Sequence, residues 1–135
     1  LDGKKCKVYP VPFDIRFPKN NEIDDEIDTI LQPDISVICD PSRLDDKGCR
    51  GAPDMIIEII SPSTNARDFK DKFFIYEKAG VKEYWIIHPG DKLLVTYHLD
   101  KNGKYSDEKN YLKLETVPVA TLEGLSIDLK GIFAA

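Results

Sequence analysis

The hydrophobic positions of this chain follow two rhythms. Residues 54–60, Asp-Met-Ile-Ile-Glu-Ile-Ile, form a nearly continuous β-branched run, which predicts a strand buried on both faces. Residues 34–39 predict a second strand, and residues 7–17 a third that alternates in its second half through Val11, Phe13, Ile15 and Phe17. Pro10 and Pro12 give that first segment an edge position or an irregular start. Polar, turn-rich residues 18–28 and 40–52 read as loops. After Ser61-Pro62-Ser63-Thr64 the spacing changes to three and four, with Phe69, Phe73, Tyr76 and Gly80 on one stripe. A helix is expected there, with Ser63 or Thr64 as its cap and Gly80 as its stop. Residues 82–88 and 93–99 predict strands joined by the Pro89-Gly90-Asp91 turn, and a further hairpin passes through Lys101-Asn102-Gly103 to Leu112. Residues 122–133 alternate weakly and are expected to close the sheet. The predicted class is mixed α/β (α+β), with strands dominating and one main helix after the third strand.

Three charged residues interrupt this pattern. Period two puts Asp54, Ile56, Glu58 and Ile60 on one strand face, so Glu58 stands among isoleucines. If the strand containing Asp34 pairs beside it, Asp34 and Glu58 converge. At roughly 100° per residue, Lys72 falls on the inward side of the helix with Phe69 and Tyr76, while Lys70, Asp71, Phe74, Glu77 and Lys78 face outward. Asp68, four residues earlier, is placed to orient Lys72. Acids beside apolar strands are costly unless compensated, and a divalent cation is the usual compensation. The set suggests a magnesium-dependent site acting on phosphodiesters. Glu58, amid isoleucines, needs a partner, but blander readings exist for its neighbours. Asp34 serves as a turn cap after Pro33, Asp54 as a strand entry, and Lys72 as a snorkelling stem at the stripe's edge. Tyr76 reads as core with its hydroxyl at the cleft margin, Tyr84 and Trp85 as sheet packing, and Ser61 as a turn residue close to the site.

With 135 residues the chain is expected to form one domain, residues 1–135. Its 41% hydrophobic and 32% charged content is that of a globular protein, and no apolar run is long enough to cross a bilayer. A net charge of −5 counts against strong non-specific nucleic-acid binding. Much of that acid crowds Glu22, Asp24, Asp25, Glu26 and Asp28, whereas cations gather in Lys4, Lys5 and Lys7, in Arg43, Lys47 and Arg50, and in Arg67, Lys70 and Lys72. Cys6, Cys39 and Cys49 are odd in number and lack C-x-x-C spacing, so Cys39 is expected as a buried free thiol and a disulfide framework is not expected. A reducing, cytoplasmic compartment follows from that. His88 and His98 each end a strand without a partner at metal-ligand or triad spacing. The chain starts at Leu1 and opens almost directly into strand-like sequence, as expected of a trimmed piece of a longer protein.

Pro33-Asp34, Gly51-Ala52-Pro53-Asp54 leading to Glu58, Ser61-Pro62-Ser63-Thr64, Asp68 with Lys72 and Tyr76, and Gly80-Val81-Lys82-Glu83-Tyr84-Trp85 are each weak signals. Their order and spacing together resemble the Uma-family restriction endonucleases of the PD-(D/E)xK nuclease superfamily. The resemblance implies a restriction-endonuclease-like mixed sheet, with Asp34, Glu58 and the backbone carbonyl of Ile59 as ligands of Mg2+, for which Mn2+ can substitute. It also implies Lys72 as the catalytic lysine, moved to the helix from the usual place two residues after the second acid, where this chain has Ile60. Asp68, Tyr76 and Ser61 are secondary candidates. The family's N-terminal helical segment, which contributes an acidic residue to the site, is expected to be lacking here. The implied activity is metal-assisted hydrolysis of DNA, by a homodimer in keeping with outward-facing Phe74. The alternatives are an inactive nuclease-fold module for DNA binding or oligomerisation, and a small-molecule phosphoesterase with the same metal chemistry.

Overall fold

The central strands form where the apolar runs are longest. In the computed structural model, which describes residues 6–19, 27–60, 66–112, 116–120 and 125–128, six strands make one mixed sheet. They are β1 (Lys7–Pro10), β4 (Ile35–Ile38), β7 (Met55–Ile59), β8 (Glu83–His88), β9 (Leu93–His98) and β10 (Lys109–Leu112), in that spatial order. β7 and β8 are parallel, and the crossover that parallel pairing requires is α1 (Ala66–Ala79). The other neighbours in this sheet are antiparallel. Two short strand pairs complete the order: β2 (Ile15–Arg16) and β3 (Ile30–Leu31), then β5 (Leu44–Asp45) and β6 (Gly48–Arg50), form a four-stranded sheet ordered β3-β2-β6-β5. β11 (Thr116–Val119) and β12 (Leu125–Asp128) form a two-stranded ribbon. Counting the short strands, the helix follows the seventh strand rather than the third.

Alternation along β7 and β8 builds a core on each face of the main sheet. Ile56, Tyr84 and Ile86 face Tyr76 and Val81, with Phe69 and Phe73 of α1 packed alongside. Met55, Trp85 and Ile87 face the other way, against Val117 and Val119 of β11. The helix stops at Gly80, whose φ of 91° disfavours any residue with a Cβ. There the Gly80 N–H donates to the Glu77 carbonyl (3.2 Å) and the Val81 N–H to the Tyr76 carbonyl (3.1 Å), a Schellman closure. Among the described residues no helix is long and apolar enough to cross a membrane.

The structure corrects three expectations. The segment 7–17 is two strands, β1 and β2, in different sheets, separated by a bend with a cis Val11–Pro12 bond, as two prolines in so short a run allow. The stretch 40–52 is not plain loop. It holds a 3-10 turn at Pro41–Arg43, capped by the Asp40 side chain, and the β5–β6 hairpin. Cys39 is not a free thiol, for it forms a disulfide with Cys6. The register Lys7↔Ile38, carried one step further, sets the two cysteines opposite each other, with Cα atoms 3.9 Å apart. The expectation of a reducing compartment loses the ground on which it stood. Cys49 is the free, buried cysteine, its thiol pushed up to about 11 by burial. The cap candidates Ser63 and Thr64 and the acidic cluster Glu22–Glu26 lie outside the described residues, as do Lys4 and Lys5.

Candidate active site

β4 and β7 pair with Ile35↔Ile57, Ser36↔Ile56 and Val37↔Met55. One step beyond, the ladder brings Asp34 opposite Glu58, so the two acids meet because the register dictates it. Each carboxylate holds the other's strand: Glu58 Oε1 accepts the Asp34 N–H at 3.1 Å, and Asp34 Oδ2 accepts the Ile59 N–H at 2.7 Å. Glu58 is only 5% exposed and shares the face of Ile56, against the helix. From α1, Tyr76 Oη donates to Glu58 Oε2 at 2.7 Å, and Lys72 Nζ lies 3.4 Å from the same oxygen.

The electrostatics follow from that burial. Desolvation pushes the Glu58 carboxyl above its usual range, and the negative charge of Asp34 adds to the rise. The Tyr76 hydroxyl, the Lys72 ammonium and the Asp34 N–H oppose it. Burial, with the Glu58 charge beside it, drives the Tyr76 phenol far above its ordinary value, so that it acts as a hydrogen-bond donor throughout the working range. The Lys72 side chain keeps 28% of its surface in solvent, which puts its ammonium at the lip of the site.

The structure thus brings Asp34, Glu58, Lys72 and Tyr76 together. Ile59 contributes backbone, its side chain being exposed. In an extended strand a residue's N–H and C=O point to the same side, so the Ile59 carbonyl faces the edge where its N–H meets Asp34. Ser61 and the side chain of Asp68 lie outside the described residues. Asp54 is structural, accepting the Cys39 N–H at 2.7 Å. Among the described residues no group of three or more His, Cys, Asp or Glu side chains is placed to hold a metal ion. Two carboxylates and a backbone oxygen are a hard, sparse donor set. Such a set fits Mg2+, which binds through one or two carboxylates and keeps positions for water and phosphate.

A second buried acid escaped the sequence reading. Glu83, 1% exposed, receives the Trp85 indole N–H (2.9 Å) and the Ala120 N–H (3.1 Å) on Oε2. His98 Nε2 lies 3.4 Å from that oxygen, while His98 Nδ1 lies 3.9 Å from Asp107. His98 therefore does have acidic neighbours, supplied by the β8–β9 register Glu83↔His98 and the following loop rather than by local spacing. The signal in the sequence was of the same kind as for Glu58, an acid within an apolar strand, here at its first residue.

The family model Uma2, described as a putative restriction endonuclease, matches residues 1–130. An uncharacterized protein of Synechocystis sp. is 30% identical over 106 residues, covering 78% of this chain and 52% of its own length. The chain thus spans about half of that curated relative. The crystal structure of a putative nuclease belonging to DUF820 from Anabaena variabilis superposes with a TM-score of 0.71 at 21% identity. That superposition covers 97% of this chain and 69% of the other.

Proposed function

Because this chain belongs to the Uma2 family of putative restriction endonucleases, we propose that it is a metal-dependent endonuclease hydrolysing DNA phosphodiester bonds. The observation that carries the reading is Glu58: a carboxylate buried in an apolar strand, opposed by a second acid and reached by a lysine at the solvent lip. Asp34, Glu58 and the Ile59 carbonyl would hold Mg2+, or Mn2+ in its place. The chemistry such an ion supplies is Lewis acidity toward a phosphate oxygen and a more acidic bound water. Lys72 brings positive charge to the open side of the site, where it offsets the charge that grows on the phosphate oxygens in the transition state. The helix side of Glu58 is closed by the aromatic core, so substrate reaches the site from the lip where Lys72 stands. Phe74, 53% exposed on the outer face of α1, supports a second copy of the chain as partner, giving a homodimer able to address both strands.

A second reading is a nuclease-fold module that binds DNA without cutting it. Calorimetric titration of Mn2+ into this chain and into Glu58→Ala tests the first reading. We expect about one ion per chain, with binding lost in the variant. Equal affinity in the two proteins would remove Glu58 from the metal site and leave the second reading in place.

A further inference from the structure

The two oxygens of Glu58 are not equivalent. Oε1 faces the Asp34 N–H across the strand pair, whereas Oε2 takes both polar groups of the helix. Those two groups differ in stiffness. Lys72 carries its ammonium on a long, partly solvated stem and cannot fix the torsion of a carboxylate. Tyr76 is fully buried, its ring set edge-to-face on Tyr84 (centroids 5.0 Å apart, 77°) and tilted against Phe17 (5.8 Å). Its backbone is pinned as well, since the Tyr76 carbonyl accepts the Val81 N–H in the turn that closes the helix. A hydroxyl on so rigid a mount defines a direction, and at 2.7 Å it defines it for Glu58 Oε2.

We propose that Tyr76 is the positioning residue of the site: its hydroxyl sets the rotation of the Glu58 carboxylate, turning Oε1 toward Asp34 and the gap between the two acids. The consequence for a divalent cation rests on the reading given under Proposed function. The orientation of the carboxylate is a property of the chain alone. Partners that orient a ligand in this way usually change metal affinity about 10- to 100-fold when removed.

The test is Tyr76→Phe, which deletes one oxygen and leaves the ring in its core, read in two ways. In metal-free protein, the Asp34 amide proton in a 1H–15N spectrum reports its bond to Oε1. Calorimetry then gives the Mn2+ affinity. Retained dispersion of the remaining amides certifies the fold in the same spectrum. The expected result is that the Asp34 amide moves upfield and exchanges faster, and that Mn2+ binds about 10- to 100-fold more weakly. An unmoved Asp34 amide overturns the proposal, because a hydroxyl that merely satisfies its own burial leaves Oε1 in place. A moved amide with unchanged Mn2+ affinity overturns it too, since the orientation then does not serve the site. A moved amide in a protein that takes no Mn2+ in either form upholds the positioning and sinks the metal reading instead.

Discussion

Lys72 and Glu58 share an ion pair but divide the work of the site differently. Glu58 is buried and bonded on both oxygens, whereas Lys72 keeps part of its side chain in solvent. On the reading proposed above, Lys72→Ala is expected to leave Mn2+ affinity close to that of the parent while lowering the rate of DNA cleavage about 100- to 1,000-fold, the scale of losing one charge-stabilising donor. Parallel calorimetry and single-turnover cleavage would check this. Both residues were legible in the sequence because a charge inside an apolar rhythm needs a reason. Asp34 was legible only through its partner, since nothing local distinguishes it from a turn residue after Pro33. Glu83 carries the same mark as Glu58 and was passed over because no second acid or lysine in the sequence pointed toward it. Its partners, Trp85, His98 and Ala120, come from its own strand, from β9 and from the residue just past β11.

Among elements, the long ones were readable and the short ones were not. β7, β8, β9 and the end of α1 have enough repeats for a period to show, and Gly80 marks the stop without ambiguity. β2, β3 and β5 are two residues each, too short for any rhythm, and exist because neighbours hold them. In the β5–β6 hairpin that neighbour is β2, from which the buried Arg16 reaches Asp45 at 2.5 Å. This bond holds the Asp45 carboxyl below its usual range, with the Lys47 N–H helping. A lowered carboxyl contributes stability that is complete above the unfolded value and is lost as pH falls through the folded one. Asp45→Asn should accordingly reduce the urea midpoint at neutral pH, the gap to the parent closing below about pH 4. Urea titrations across that range would show whether it does. Gly48, in β6, is a second anchor: its φ is 122°, and a Cβ there would lie 2.2 Å from the Asp14 carbonyl oxygen. Gly80 has a similar φ, yet nothing within 4 Å of such a Cβ. Gly80→Ala is expected to cost about 1–2 kcal/mol in backbone strain alone, and Gly48→Ala distinctly more, a ranking that thermal melts of the pair can verify.

For the molecule as a whole, β8 is the member that both cores share. Tyr84 and Ile86 serve the helix side, while Trp85 and Ile87 serve the β11 side. Trp85 is fully buried and also donates to Glu83. Trp85→Ala should cost about 3–5 kcal/mol, a large part of the about 5–15 kcal/mol that holds an ordinary domain together. A lower urea midpoint followed by far-ultraviolet dichroism would register it. The disulfide was the least foreseeable feature at this scale, because an odd cysteine count conceals a pair that only the β1–β4 register brings together.

The reciprocal bonds of Asp34 and Glu58 also bear on how such a chain can age. Each acid extends the β4–β7 pairing one step past its last ladder partners by accepting an N–H from the other strand. A chain of this fold that cuts nothing still needs both to finish that edge of the sheet, so selection for folding alone would preserve them. Lys72 meets that edge through its ion pair with Glu58. On the reading proposed above, the two acids record ancestry across a lineage, and the identity of the residue at position 72, which that reading sets against the substrate, records whether the trade is still practised.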